Sequence, residues 1–203
     1  YGLTLVIGGG EVSLLDMTSA YGVFANNGTR NPYTGILEVQ DSTGKILEQY
    51  QSKPQDVLPK NAALTISDVL SDEKAREPTF GVNSILHIPG KDVAVKTGTT
   101  NNNKDAWTIG YTPSIAVGVW AGNNDNMVMK KGGAAVAGPI WNKFINYALI
   151  KLPDEKLEKP NLDADPTMVK PALRGVWQGN ENFFIDKISG LLAGPNTPKE
   201  TTQ

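Results

Sequence analysis

The chain has 203 residues, of which 39% are hydrophobic and 20% charged, a composition that supports one globular domain, alone or with an extension. The net charge is -2 with no Lys/Arg-rich stripe, which excludes proteins that bind nucleic acid through a basic face. The absence of cysteine excludes disulfide scaffolds and thiolate metal sites, and the single histidine, His87, argues against a Ser-His-Asp triad, so we expect neither metal nor cofactor.

The apolar runs and the first residue bear on membrane attachment. No apolar run approaches the ~20 residues that a transmembrane helix needs, and no signal peptide is visible. The chain starts at Tyr1 rather than Met, inside an apolar stretch, so we interpret it as a piece of a longer protein. The targeting and anchoring signals of that parent are then expected outside these residues.

The first predicted element is a helix over residues 14–26. Ser13 and Asp16 form a capping box at its start, and apolar residues follow at helical spacing. Asn27 and Gly28 are a stop signal, because both tolerate the left-handed backbone that ends helices.

Residues 34–50 predict two short strands around a polar turn at 41–44. A second amphipathic helix follows, and its predicted apolar face comprises Ala63, Ile66 and Leu70. Residues 72–91 contain two prolines and are predicted to be irregular. Three charged side chains there are predicted to be exposed: Glu73, Lys74 and Arg76.

Three strands are predicted in close order, at residues 92–99, 105–112 and 114–121. Thr112 and Pro113 form a tight turn, which makes the last two strands an antiparallel hairpin. We expect all three strands to be neighbours in one antiparallel sheet.

A last helix is predicted over residues 139–150, with Pro139 at its first position. We expect it to cover one face of the sheet through an apolar stripe of Ile140, Phe144 and Ala148, which Trp141 and Ile145 widen. The composition changes at residue 153, so residues 1–152 are predicted as the main domain and residues 153–203 as a Pro-rich linker or small extension.

Several smaller features have simple interpretations. Trp107 and Trp120 are predicted to lie in the core, and His87 to be packed or partly exposed. Residues 101–104 are predicted as a solvated turn that could also border a groove, and residues 183–188 as one short strand.

The strongest chemical motif is Lys96, Thr97, Gly98 and Thr99 at the end of an apolar strand. Strand alternation places the two threonines on one side and Lys96 on the other. Gly98 has no side chain, so a ligand can approach the backbone there. An ammonium beside free strand-edge N–H groups can hold a carboxylate or a developing oxyanion.

The surroundings of this motif point to a family. The relevant segments are residues 93–100, 105–107, 110–113, 117–123, 8–12, 15–21 and 138–141. Together, and in their order along the chain, they resemble the end of the transpeptidase domain of a class A penicillin-binding protein. The resemblance covers residue 1 to about residue 150, so we expect residues 1–152 to be the C-terminal portion of such a domain.

The resemblance implies an α/β fold: an antiparallel sheet flanked by helices, part of the penicillin-binding protein transpeptidase (β-lactamase-like) fold. It implies that Lys96 takes part in proton transfer around the nucleophile, and that Thr97 and Thr99 bind the substrate carboxylate beside Gly98. The N–H of Thr99 would be one oxyanion donor. The implied partners are peptidoglycan stem peptides and β-lactams, at the extracytoplasmic face of the bacterial membrane, with membrane attachment only through an N-terminal anchor absent here.

The chain departs from the family in lacking a recognisable nucleophile. The family uses Ser-x-x-Lys and Ser-x-Asn upstream of Lys-Thr-Gly. No Ser-x-Asn occurs here, and the two Ser-x-x-Lys strings, which begin at Ser42 and Ser71, fall in a turn and at a polar helix end. We interpret both as chance matches and expect the isolated chain to be inactive.

Two alternatives to the transpeptidase remain open. One is a β-lactamase or D-Ala carboxypeptidase of the same fold, which would pass the acyl group to water. The other is a non-catalytic, wall-associated fragment. Ser-x-x-Lys and Ser-x-Asn motifs before Tyr1, preceded by a glycosyltransferase region and a membrane anchor, would identify the transpeptidase.

Overall fold

The computed structural model describes residues 2–161 and the single positions 188, 198 and 200. The chain divides into two units, Tyr1–Pro160 and Asn161–Gln203, and only the first is described below. The predicted strand at 183–188 lies outside the described residues apart from its last position. Within the described part, no helix is long and apolar enough to cross a bilayer.

The described residues of the first unit form four α-helices, seven strands and two 3₁₀ turns. In chain order they are a 3₁₀ turn (Gly2–Ile7), α1 (Leu14–Ala25), β1 (Thr29–Arg30), β2 (Glu38–Gln40), β3 (Ile46–Gln49), β4 (Gln55–Asp56), α2 (Lys60–Ser71), α3 (Glu73–Phe80), β5 (Ala94–Thr99), a second 3₁₀ turn (Asn101–Asn103), β6 (Asp105–Thr112), β7 (Ile115–Gly122) and α4 (Gly133–Leu149). The α/β fold class is therefore confirmed.

Local signals set the ends of α1 as predicted. The Ser13 hydroxyl accepts a hydrogen bond from the Asp16 N–H at 3.1 Å, which satisfies one of the free amides of the first turn. The helix is followed by Asn27 and Gly28, whose φ angles are 55° and 101°. A Cβ on Gly28 would lie 2.3 Å from the Leu58 carbonyl oxygen, so the chain can pass here only with glycine.

The predicted hairpin is confirmed as β2 and β3. In its turn, the Asp41 carboxylate accepts hydrogen bonds from the Thr43 hydroxyl at 2.7 Å and from the amides of Thr43 and Lys45. These bonds favour the charged form and lower the pKa of Asp41. Strands β1 and β4 form a separate two-stranded pair.

The central sheet has the order β5-β6-β7, and both pairs are antiparallel, as predicted. Its residues alternate between two faces. Val95 and Val117 flank Gly110 on one face, and Ala94 and Tyr111 are paired on the other. Each face is buried by a different set of elements.

The first face packs against α4. Its core contains Val95 and Val117 of the sheet together with Trp141, Ile145 and Leu149 of the helix. Burying a side chain of this size contributes about 2 kcal/mol. A Cβ on Gly110 would lie 2.4 Å from the Trp141 ring, so the missing side chain at 110 provides the space that the indole occupies.

The second face packs against α1 and α2. Tyr111 is fully buried here, next to the rings of Tyr21 and Phe24. Its hydroxyl lies 2.8 Å from the hydroxyl of Ser67, which is also buried. Leu157 completes this cluster, and its N–H donates to the Asp92 carboxylate at 3.1 Å.

The helix predicted at 139–150 differs from the structure in its start and its buried stripe. α4 begins at Gly133, so Pro139 lies inside the helix rather than at its first position. Ile140 and Phe144 are 55% and 54% exposed. The buried stripe is centred on Trp141 and Ile145, which were predicted only to widen the face, and it also contains Ala137 and Leu149. Both stripes have helical spacing. The stripe with Trp141 is the buried one, because the missing side chain at Gly110 leaves space for the indole ring.

Residues 72–91 were predicted to be irregular, and this is wrong for α3. Asp72 caps α3 by accepting from the Ala75 N–H at 3.0 Å, and the helix continues through Pro78. Arg76 is not exposed as predicted: its side chain is 10% accessible, and its guanidinium donates to the Leu70 carbonyl. The cap at Asp72 is a local helix-start signal that the prediction did not use.

The predicted face of α2 is partly correct. Ala63 is buried and Leu70 packs against the second core cluster, but Ile66 is 40% exposed. Ser67 is buried instead, because its hydroxyl has partners in Tyr111 and in the Ala63 carbonyl at 3.0 Å. Hydrophobic periodicity does not reveal a serine whose hydrogen bonds are satisfied inside the core.

Candidate active site

The four motif residues form the last four positions of β5, which is an edge strand of the described sheet. The strand changes character at this point. Ala94 and Val95 are buried, Lys96 and Thr99 are exposed, and Thr97 and Gly98 are half-buried. The predicted strand placement of the motif is therefore confirmed, and the polar end of β5 emerges from the core.

Backbone geometry assigns the open edge to the two threonines. The Thr100 N–H donates to the Asp105 carbonyl across the β5–β6 pair at 3.2 Å. Because amide directions alternate along a strand, the N–H and C=O groups of Thr97 and Thr99 point away from β6. The Lys96 ammonium donates to the Thr97 carbonyl, which places a cation beside this free edge.

The Lys96 side chain is exposed, and no carboxylate of residues 2–161 forms an ion pair with it. Its strand neighbour Gly98 pairs with Trp107, and a Cβ on Gly98 would lie 3.3 Å from the Trp107 Cβ. The glycine thus keeps the backbone accessible on the face that Lys96 shares. A cation, a bare backbone and outward amides together suit an anionic ligand that lies along the strand.

Thr99 has a contact that the sequence did not predict. Its hydroxyl oxygen accepts a hydrogen bond from the Gly133 N–H, in the first turn of α4, at 2.8 Å. The two residues are 34 positions apart, so no local pattern could reveal the contact. The motif and the last helix are therefore joined at one hydroxyl.

Asp105 closes the turn that follows the motif. One carboxylate oxygen accepts from the Thr100 hydroxyl at 2.7 Å and the other from the Trp120 indole N–H at 2.9 Å. The prediction of Trp120 as a core residue is wrong. Its side chain is 38% exposed, and the hydrogen bond to Asp105 holds the ring at the surface beside the turn that follows the motif. Trp107 is half-buried.

The turn at 101–104 is tied to a second loop. Asn102 and Asn103 have φ angles of 61° and 52°, a left-handed backbone that asparagine tolerates better than most residues. The Met129 N–H donates to the Asn103 carbonyl at 3.0 Å. The rim of the motif is therefore built from two connected loops and the start of α4.

The serines of the two Ser-x-x-Lys strings lie where the sequence predicts. Ser42 is in the β2–β3 turn, and Ser71 is the last residue of α2. The Ser71 hydroxyl donates to the Asp68 carbonyl at 3.2 Å, and Lys74 is exposed. His87 is partly exposed, as predicted, with its Nδ1 3.6 Å from the Glu73 carboxylate.

A cavity of about 340 Å³ lies at the other end of the sheet. Its walls include Ala25, Leu64, Ser67, Pro113, Lys156 and Leu157. None of the four motif residues lines it.

The buried tyrosine of the sheet is perturbed electrostatically. Burial raises the pKa of Tyr111 to about 12, although the Ser67 hydrogen bond opposes the shift. Within the described residues, no cluster of three metal-ligating side chains occurs.

Comparisons with known proteins show which family the chain is similar to. Residues 3–146 match the profile of the penicillin binding protein transpeptidase domain. Penicillin-binding protein 1A of Neisseria lactamica is 32% identical over 194 residues, which cover 90% of this chain and 22% of that protein. The chain thus spans about a fifth of that relative's length.

Two solved structures extend the comparison to three dimensions. Penicillin-binding protein PonA1 from Mycobacterium tuberculosis has a TM-score of 0.68 at 26% identity, over 78% of this chain and 44% of that one. The imipenem acyl-enzyme complex of penicillin-binding protein A from M. tuberculosis has a TM-score of 0.55 at 22% identity, over 68% of this chain and 31% of that one.

Proposed function

The chain belongs to the family of penicillin-binding protein transpeptidase domains, and from this premise we propose that it forms the carboxylate-binding and oxyanion-stabilising part of a peptidoglycan D,D-transpeptidase. The observation that supports the proposal is the free edge of β5, where the Lys96 ammonium lies beside the outward backbone groups of Thr97 and Thr99. The stem peptide that is cleaved ends in a carboxylate, which a cation can bind. Its scissile carbonyl must also lie next to hydrogen-bond donors such as these backbone N–H groups.

Each motif residue has a role in this proposal. The hydroxyls of Thr97 and Thr99 hold the terminal carboxylate of the donor peptide. The Thr99 N–H donates to the developing oxyanion, and Gly98 lets the substrate approach as an added strand. Lys96 takes part in proton transfer around the nucleophile, a role that requires an ammonium at the groove rather than one held in an ion pair.

The proposed reaction has two steps. A serine supplied from outside these 203 residues attacks the carbonyl of the penultimate D-Ala, and the C–N bond to the last D-Ala breaks as that amine takes a proton. An amine of a neighbouring stem peptide then attacks the ester carbonyl and forms the new amide, the C–O bond to the serine breaks, and the proton that the attacking amine loses goes to the serine oxygen. β-Lactams acylate the same serine, because their ring amide takes the place of the scissile bond.

The proposal extends to the parent protein. We place this domain in a bifunctional protein with a glycosyltransferase region and an N-terminal membrane anchor, at the extracytoplasmic face of the bacterial membrane. Its partners are peptidoglycan stem peptides and β-lactams. The supporting observation is the similarity to a class A relative of which this chain covers 22%.

Labelling with a fluorescent penicillin tests the proposal. We expect the intact parent to form a stoichiometric adduct on a serine outside these residues, and the isolated chain to form none, since loss of the nucleophile costs orders of magnitude in rate. Peptide mapping identifies the labelled residue. An adduct on Ser42 or Ser71 would contradict the proposal, and a parent that only hydrolyses D-Ala peptides would favour the carboxypeptidase alternative.

A further inference from the structure

The first turn of α4 obtains its cap from the motif strand. The residue at the N-cap position is Gly132, which has no side chain to accept a hydrogen bond from the free amides of the turn. The Gly133 N–H donates to the Thr99 hydroxyl oxygen at 2.8 Å. Thr99 therefore does for α4 what a serine or threonine at the N-cap does in other helices.

This contact depends on two adjacent glycines. A Cβ on Gly133 would lie 2.3 Å from the Gly98 carbonyl oxygen and 3.0 Å from the Thr99 hydroxyl oxygen. A Cβ on Gly132 would lie 2.9 Å from the Thr99 methyl carbon. The distance to the Gly98 carbonyl oxygen is too short for real atoms, so a larger residue at 133 would move the start of α4 away from β5, whereas one at 132 would displace the Thr99 side chain.

The contact also determines whether the Thr99 hydroxyl can donate or accept a further hydrogen bond. A hydroxyl has one proton and two acceptor sites, and here an acceptor site is filled by a helix amide. Its own proton is then free to donate, since the hydroxyl gives no hydrogen bond within residues 2–161. The partial positive charge at the start of a 17-residue helix makes an anion the favoured ligand of that proton.

We propose that Gly132 and Gly133 are positioning residues of the substrate site: they seat the Thr99 oxygen on the first free amide of α4, so that the hydroxyl proton faces the substrate carboxylate. The inference deepens the proposed function and rests on it for the identity of the ligand. The glycines act through Thr99 and do not themselves contact the substrate.

The first test measures the cap without using activity. In the intact protein, hydrogen exchange of the Gly133 amide is compared for the wild type, Thr99→Val and Thr99→Ser. Valine has the same shape but no acceptor, so we expect exchange to be roughly fivefold to tenfold faster, the effect of losing about 1 kcal/mol of capping. Serine keeps the acceptor and should exchange within twofold of the wild type. Equal exchange in all three proteins would overturn the proposal.

The second test measures positioning, by the dependence of acylation on fluorescent penicillin concentration. We expect Gly133→Ala to raise the half-saturating concentration about tenfold, with less than threefold change in the maximal rate, because it displaces a carboxylate donor rather than the nucleophile. Ala135→Gly is the matched control: it loosens the same helical turn at an exposed position and should leave both values within twofold.

The two tests separate the possible failures. A Gly133→Ala protein with wild-type half-saturation would overturn the positioning role. If that variant does not fold, Thr99→Val and Thr99→Ser provide the same kinetic comparison, and equal half-saturation in these two would also overturn it. A wild-type parent that penicillin never acylates would refute the proposed function, while the exchange comparison would still decide whether Thr99 caps α4.

Discussion

The two ends of the central sheet use similar residues in opposite ways. At the packed end, around the Ala94–Tyr111 pair, a tyrosine and a serine satisfy each other inside the core. At the open end, around the Thr99–Ala106 pair, a lysine and two threonines lie at a free edge. About five residues of strand, or roughly 17 Å, separate the two ends.

This contrast shows how one short strand serves both stability and chemistry. Polar groups at the packed end have internal partners and so contribute to the fold. At the open end, internal hydrogen bonds fix the rim, through Asp105 and Thr99, but leave the Lys96 ammonium without a carboxylate partner in the described residues. We therefore expect substitutions at the packed end to change stability and those at the open end to change rate.

The largest expected effect is at the open end. In the intact parent, Lys96→Ala should slow acylation by a fluorescent penicillin about 10²-fold or more, because it removes a group proposed to transfer protons. Its melting temperature should change little, since the side chain is exposed. Lys143→Ala, at an exposed site on α4, is the matched control and should acylate at the wild-type rate. A normal rate for Lys96→Ala would remove the lysine from the mechanism.

The next largest effect concerns the side of α4 that is buried against the sheet. Ile145→Ala should cost about 2–5 kcal/mol of unfolding free energy, because it opens a cavity in a fully buried cluster. Its neighbour Phe144→Ala should cost less than about 0.5 kcal/mol, because that ring is 54% exposed. Urea unfolding of the intact protein measures both. Equal losses would mean that the stripe of α4 assigned to the core is wrong.

The smallest effect is a pH dependence at the packed end. Burial raises the pKa of Tyr111 from 10.0 to about 12, so the unfolded chain releases this proton at lower pH than the folded chain. The stabilisation is complete below pH 10 and is lost as the pH rises towards 12, by roughly 2 kcal/mol. Urea midpoints between pH 9 and 12 should fall more steeply in the wild type than in Tyr111→Phe. If the urea midpoints of the two proteins fell equally with pH, Tyr111 would not be the source of the pH dependence.

Much of the fold was predictable where the determining interaction is local. The capping box at Ser13 and the stop at Asn27 bounded α1, and the Asp41 turn located the β2–β3 hairpin. The strand placement of residues 96–99 followed from the apolar run before them, and the hairpin of β6 and β7 followed from the tight turn at Pro113. In each case the residues that interact are within a few positions of one another, so their pattern is visible in the sequence.

Apart from α3, whose cap at Asp72 is local, the errors fall where a distant residue decides the outcome. α4 starts at Gly133 because Thr99 supplies its cap, and its buried stripe contains Trp141 because Gly110 leaves space for the indole. Likewise, Trp120 lies at the rim because Asp105 binds its N–H. None of these partners is adjacent in sequence to the residue whose position it determines.

The sequence by itself therefore determined most of the helices and strands, though not α3 or the β1–β4 pair, together with the family resemblance and the location of the motif on a strand, since these depend on short-range spacing and on residue type. The tertiary structure alone decided which face of α4 is buried, that the threonine edge of β5 has no neighbouring strand among the described residues, and that the Thr99 hydroxyl binds the first turn of α4. The physical reason is that burial and hydrogen-bond direction depend on atoms brought together across tens of residues, and periodicity describes only one element at a time.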